Sequence, residues 1–150
     1  MSKSQYGFTP QTNTVDALMA LNNFVQESTN DGQYAVAISL DVKGAFDAAW
    51  WPGILASLRN LRCPGNLYKL CVSCFNERTA FIANNSGTGQ RKISKSCPQG
   101  SASGPEFWNI QYDSLLNLEY TKNTKVMAYA DDLMILVKEQ LNKKLKIVPT

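Results

Sequence analysis

Residues 125–137 read Lys-Val-Met-Ala-Tyr-Ala-Asp-Asp-Leu-Met-Ile-Leu-Val. Two short apolar runs, 125–128 and 133–137, flank the tetrapeptide Tyr129-Ala130-Asp131-Asp132, in one-letter code YADD. Runs of that length and composition read as the two strands of a β-hairpin. The tip then carries two adjacent carboxylates with no Gly or Asn to ease the turn, an arrangement that repels itself unless a cation sits between the charges. A second acidic stretch, Ser39-Leu40-Asp41-Val42-Lys43-Gly44-Ala45-Phe46-Asp47, closes another apolar run, and Cys97-Pro98-Gln99-Gly100 lies between the two.

The chain has 150 residues, enough for one core. A 44% hydrophobic and 18% charged composition is that of a globular protein. The net charge of +3 permits a polyanionic partner without requiring one. There is no His, which excludes Ser-His and Cys-His catalysis and leaves a zinc site only Cys or carboxylates. Cys63, Cys71, Cys74 and Cys97 are unevenly spaced and read as small buried apolar residues rather than zinc ligands. No signal peptide is visible and no apolar run reaches the roughly 18 residues of a membrane span. The expectation is a reducing, intracellular compartment.

Along the chain, residues 1–11 read as a loop broken by Gly7 and Pro10. Thr12 or Thr14 is positioned to cap a helix over about 14–29, with Val15, Leu18, Met19, Asn22 and Val25 near one face and Phe24 beside it. Asp31-Gly32 stops it, and residues 34–40 read as a buried strand. Helices are expected over 52–61 and 66–76, divided by Cys63-Pro64-Gly65. Trp50 and Trp51 read as core. Residues 78–83 and 91–95 suggest a hairpin around Asn85-Ser86-Gly87-Thr88-Gly89. Ser103 and Glu106 have capping-box spacing at the head of a helix to about 118, and residues 138–146 form a basic tail with helical character. This order suggests an α+β fold, an antiparallel sheet backed by helices.

In such a sheet Asp41 ends its strand and Asp131 lies at a hairpin tip, so three carboxylates, Asp41, Asp131 and Asp132, can converge. Mg²⁺ takes one or two carboxylates plus substrate phosphates. Two ions about 4 Å apart can activate an attacking 3′-hydroxyl and stabilise a leaving pyrophosphate. Phosphoryl transfer of this kind rests on positioning and charge neutralisation, so a chain without His can perform it. Taken singly, each piece has a plainer reading: a solvated Asp-Asp turn, a packed Phe46, a simple turn at Gln99-Gly100.

Together the pieces resemble the reverse transcriptase of non-LTR (LINE-type) retrotransposons. Gln5-Tyr6-Gly7-Phe8 with Thr14-Val15-Asp16-Ala17 resembles the family's fingers motif, residues 39–47 its motif A, 96–100 its motif B and 129–132 its motif C. The resemblance implies a polymerase palm with partial fingers and no thumb: a partial domain over 1–150, with 5–33 a fingers remnant, 34–138 the palm and 139–150 a basic tail. It implies that Asp41, Asp131 and Asp132 are catalytic and hold two Mg²⁺ ions, or Mn²⁺ in their place, with help from the Val42 carbonyl. Val42, Lys43, Gly44 and Ala45 would face the incoming triphosphate, Phe46 would exclude a ribose 2′-hydroxyl, and Gln99 and Gly100 would contact the nucleotide. The Glu106 helix would underlie the template–primer.

The implied activity is RNA-directed DNA polymerisation, with an RNA template, a DNA primer and deoxynucleoside triphosphates as partners. The rest of a retrotransposon polyprotein, including endonuclease and thumb, is expected in the parent, together with a nuclear or cytoplasmic ribonucleoprotein location and no membrane. Thr9 stands where many members carry Arg, and the upstream fingers strands and the thumb are not in this sequence. The expectation is therefore that the fragment alone is weak or inactive. The alternatives are a non-enzymatic remnant that binds nucleic acid or a protein, and a palm-type nucleotide cyclase, in which the Cys97–Gly100 stretch has no role.

Overall fold

The computed structural model of the chain describes residues 2–84 and 87–140. In order it contains α1 (Thr14–Asn30), β1 (Tyr34–Leu40), α2 (Ala45–Ala48), α3 (Trp51–Asn60), α4 (Gly65–Phe75), β2 (Thr79–Asn84), β3 (Gly87–Lys92), α5 (Gly104–Leu116), β4 (Thr124–Tyr129) and β5 (Asp132–Glu139). Helices and antiparallel strands are segregated as expected of an α+β chain. The described residues divide into two units, Ser2–Val42 with 116–140, and Lys43–Leu115.

The first unit is built on an antiparallel sheet of order β1-β5-β4. The Leu-Met-Ile-Leu-Val run takes the central place, where both edges are paired and apolar residues are favoured. One face is covered by α1. Phe24 of the helix packs with Met127 and Leu136, joined by Ala17, Ala20, Leu21, Ala35 and Met134. Alanines on both the helix and β1 allow a close approach.

Two expectations change here. Residues 34–40 form the strand, but it is an edge, and Tyr34, Val36, Ile38 and Leu40 are exposed on the face away from α1. A short apolar run does not distinguish a central strand from an edge. In α1, the side that packs carries Ala17, Ala20, Leu21, Phe24 and Ser28, whereas Val15, Leu18, Met19 and Val25 are exposed. Two apolar stripes share this helix, and the smaller one fits against the sheet.

The cap is also reassigned. Asn13, rather than Thr12 or Thr14, caps α1: its Oδ1 accepts from the Val15 and Asp16 N–H groups at 2.8 and 3.2 Å. Asp16 accepts in return from the Asn13 N–H at 2.8 Å. Thr12 instead donates its hydroxyl to the Tyr6 carbonyl at 2.7 Å. Asn13→Ala is expected to cost about 1 kcal/mol of stability, the usual loss for such a cap, measurable by denaturant titration.

The N-terminal segment is more than a loop. The Tyr6 N–H donates to the Ala128 carbonyl, and the Ala128 N–H to the Ser4 carbonyl, both at 2.8 Å. A parallel bridge between Gln5 and Ala128 thus extends the sheet past β4.

In the second unit Pro52 sits in the first turn of α3, where its missing N–H costs nothing. Trp51 stacks on Phe75 at 5.2 Å between ring centres, and Phe75 meets Phe107 at 4.9 Å. Ile54 and Leu58 complete this core. Trp50, expected in the core, is exposed and lies against Gly53. The β2–β3 ladder runs from Thr79 opposite Lys92 to Asn84 opposite Gly87. The second strand therefore starts at Gly87, not at 91: residues 87–90 have little strand propensity of their own and are carried by pairing with β2.

Among the cysteines Cys97 is buried, Cys63 and Cys71 are half-buried and Cys74 is exposed, so the expectation of burial fails at Cys74. Burial, with Cys63 and Cys74 nearby, pushes the Cys71 thiol up. Lys138 and Glu139 belong to β5, and the remainder of the basic tail, 141–150, lies outside the described residues. Among the described residues no helix is long and apolar enough to cross a membrane.

Candidate active site

The β4–β5 hairpin pairs Tyr129 with Asp132, which leaves Ala130 and Asp131 as a two-residue turn. Ala130 has φ 56° and Asp131 is not in the positive-φ region. A positive φ at the first central residue is the pattern of a type II′ turn, where Gly is the usual occupant. Ala at this position is strained, so the turn needs support from its surroundings.

Strand register places the acidic residues. Leu40, the last residue of β1, lies opposite Leu133, and β5 begins at Asp132. The residue after β1 is Asp41, which therefore reaches the level of Asp132 on the neighbouring strand. Asp131 is the next residue in the turn. Asp41 and Asp132 are exposed and Asp131 is half-buried. All three, with Val42, lie in one unit, at one end of one sheet.

These residues offer the hard oxygen donors that a divalent cation requires. Among the described residues no three Asp, Glu, Cys or His side chains are gathered into a shell that could hold a metal ion by themselves. Mg²⁺ is ordinarily held by one or two carboxylates together with waters and substrate phosphates, and paired carboxylates at a strand end fit that mode of binding.

The remaining predicted site residues lie in the other unit, where the structure brings two sequence-distant pieces together. Gly44 has φ 61° and leads into α2. The Phe46 carbonyl accepts from the Cys97 N–H at 2.6 Å, and the Ala49 carbonyl from the Ser96 N–H at 2.9 Å. The Trp51 indole donates to the Ser96 carbonyl at 2.7 Å. The chain at Phe46–Ala49 is thus held beside Ser96-Cys97, which leads into Gln99-Gly100. Ala45 is buried, Phe46 is half-buried with its ring stacked on Trp108 at 6.1 Å, and Lys43, Gln99 and Gly100 are exposed.

After Cys97 the chain makes a braced loop. Ser101 donates its hydroxyl to the Pro98 carbonyl at 2.8 Å and accepts from the Gly104 N–H at 2.9 Å. Gly100 has φ 77°, which Gly adopts without steric penalty.

Burial pushes the Cys97 thiol from 9.0 up to about 11. The folded thiol holds its proton more tightly than an unfolded one. Its contribution to stability is therefore complete below about pH 9 and is lost as the pH rises toward about 11. A buried thiol held that high carries much less of the reactive thiolate at neutral pH. Iodoacetamide at pH 8 is therefore expected to label exposed Cys74 while sparing Cys97 until the protein is denatured, as peptide mass mapping would show.

Sequence reasoning gave no site role to Gln5 or to Trp108. Gln5 is buried and bonded to the backbone of Ala130 in the turn, and Trp108 stacks on the Phe46 ring.

Comparison with solved structures defines the fold class. The chain superposes on the telomerase of Candida albicans, solved with a TWJ fragment of telomeric RNA, at a TM-score of 0.72 and 12% identity over 90% of this chain and 27% of that one. Apo telomerase from Candida tropicalis gives a TM-score of 0.68 at 13% identity, covering 90% and 28%. The fold is that of a palm-type polymerase.

In sequence, residues 1–150 match the family model for reverse transcriptase (RNA-dependent DNA polymerase). A 115 kDa protein of the type-1 retrotransposable element R1DM of Drosophila melanogaster is 38% identical over 133 residues, 89% of this chain and 12% of that protein. The RNA-directed DNA polymerase of the mobile element jockey, also from Drosophila melanogaster, is 32% identical over 144 residues, 92% of this chain and 16% of that one. The chain belongs to the reverse transcriptase family, among those of non-LTR retrotransposons. It spans about an eighth of the length of the R1DM protein. Members of the family work with divalent metal ions.

Proposed function

We propose that this chain carries the catalytic palm of an RNA-directed DNA polymerase, which adds deoxynucleotides to a primer 3′-end on an RNA template. The observation that carries this reading is the register that sets Asp41 level with Asp132, beside Asp131, at one end of the sheet. Residues 34–138 supply the palm and residues 5–33 part of the fingers.

In this reading Asp41, Asp131 and Asp132, with the Val42 carbonyl, hold two Mg²⁺ ions, for which Mn²⁺ can substitute. Bound there, such ions would supply activation of the primer 3′-hydroxyl and neutralisation of charge on the leaving pyrophosphate. The backbone of residues 42–45 receives the triphosphate, with the left-handed Gly44 letting the chain turn beneath it. The Phe46 ring, fixed against Trp108, fills the space of a ribose 2′-hydroxyl and so favours deoxynucleotides by exclusion. Gln99 and Gly100 contact the nucleotide from the loop tied to Phe46 by the Cys97 bond. The substrates are an RNA template, a DNA primer and deoxynucleoside triphosphates. The setting is an intracellular ribonucleoprotein with the rest of a retrotransposon polyprotein. No observation favours a non-enzymatic remnant over this reading.

The test is incorporation of single nucleotides on an RNA-templated DNA primer by the protein that carries this chain, with Phe46→Val beside the unaltered protein. The reading expects Mg²⁺-dependent use of deoxynucleotides and a relaxed preference for them over ribonucleotides in Phe46→Val. Metal-independent incorporation, or an unchanged sugar preference in an active Phe46→Val, would overturn it.

A further inference from the structure

The turn that presents Asp131 is held by a side chain from the other end of the sequence. Gln5 is 4% exposed. Its Nε2 donates to the Ala130 carbonyl at 3.0 Å, and its Oε1 accepts from the Ala130 N–H at 3.2 Å. The same Oε1 accepts from the Gly7 N–H at 3.0 Å. One amide thus engages both backbone groups of the strained turn residue, as a neighbouring strand would. The segment that carries it is fixed independently, by the two backbone bonds between residues 4–6 and Ala128. Gly7 completes the clasp: a Cβ there would run into the Ala130 nitrogen and stand 2.8 Å from its Cα.

We propose that Gln5 is a positioning residue for catalysis, fixing the Ala130 turn so that Asp131 and Asp132 keep the separation a metal ion needs. This rests on the polymerase reading above. The turn's own residue works against the required φ, and an Ala there relaxes when its restraints are removed. Gln5 supplies those restraints without touching substrate or metal. The Gln5 amide therefore acts through the hairpin, in the manner of outer partners that orient metal ligands.

The test compares the unaltered protein with Gln5→Met, which keeps the length and loses the bonds, and with Gln5→Asn, which keeps the amide and falls one methylene short. Gln5→Met/Ala130→Gly and Asp131→Asn complete the set. Mn²⁺ affinity is read by electron paramagnetic resonance, and the Mg²⁺ half-saturation, kcat and primer–template KM by single-nucleotide incorporation.

The expected result for Gln5→Met is a loss of about tenfold or more in metal affinity, the usual effect of removing an orienting partner. Primer–template KM stays unchanged. Ala130→Gly restores part of the loss, because Gly takes a positive φ freely. A merely structural role would lower the folded fraction and leave the metal half-saturation alone. The proposal is overturned if folded Gln5→Met and Gln5→Asn bind metal within twofold of the unaltered protein while Asp131→Asn has lost binding. If Gln5→Met does not fold, Gln5→Asn decides on the same readouts. If Asp131→Asn itself keeps metal binding and activity, the polymerase reading has failed and this inference falls with it.

Discussion

Asp131→Asn, in a protein that remains folded, loses nucleotide incorporation by about a thousandfold or more. The metal ions of a phosphoryl-transfer site supply several kcal/mol of transition-state stabilisation, and each 1.36 kcal/mol is tenfold in rate. The substitution replaces an ionised oxygen by a neutral amide of nearly the same shape, so the hairpin keeps its register while the charge is lost. Asp131 sits in the two-residue turn that closes the β4–β5 ladder, and its substitution should leave the Phe24, Met127 and Leu136 core untouched. Single-turnover incorporation, with circular dichroism as the check on folding, makes the measurement. Activity within tenfold of the unaltered protein would remove Asp131 from the chemistry.

Gly7→Ala has the largest expected effect on stability outside the hydrophobic core. The obstacle is main chain, not the movable end of a side chain: the added methyl meets the nitrogen and Cα of Ala130 and the carbonyl carbon of Tyr129. Relief requires residues 4–7 to lift from β4, which breaks the bonds at Ala128 and those of Gln5 to Ala130. A cost of about 3 kcal/mol, the upper end of what overpacking takes, lowers the melting temperature by roughly 10 °C in a chain of this size. The same variant should show weaker metal binding at temperatures where it is still folded. An unchanged melting temperature would mean that the N-terminal segment does not lie on β4 in solution.

These two residues mark the limits of what the sequence discloses. Asp131 was legible because hairpins follow rules of period and length: two apolar runs with a short acidic interval leave few places for the carboxylates. Asp41 was legible for a related reason, since a residue that ends an apolar strand falls at a sheet end whatever its neighbours are. The sheet order then brought it beside Asp132. The Gln5 clasp was not legible. It joins a side chain to backbone 125 positions away, and such a bond leaves no periodic mark and no composition bias. Only the oddity of Ala in a turn that suits Gly hinted that something must hold it.

The other differences have the same physical origin. Periodicity showed that residues 14–30 are helical, but two apolar stripes competed, and the one that packs is the one carrying Phe24, against Met127, Leu136 and Ala35 of the sheet. An apolar run at 34–40 showed a strand without showing that one of its edges would be unpaired. Residues 87–90 are strand only because Thr79–Asn84 is there to pair with them.

The central claim is that Asp41 and the Asp131-Asp132 pair serve one shared two-metal centre. Mn²⁺ titration followed by electron paramagnetic resonance tests it most directly, with Asp41→Asn, Asp132→Asn and the double variant. A shared centre predicts that each single substitution weakens binding by tenfold or more, and that the double loses less than the sum of the two, as coupled partners do. Binding by Asp41→Asn equal to that of the unaltered protein would contradict the account, because the register that sets Asp41 beside the hairpin would then have no chemical consequence.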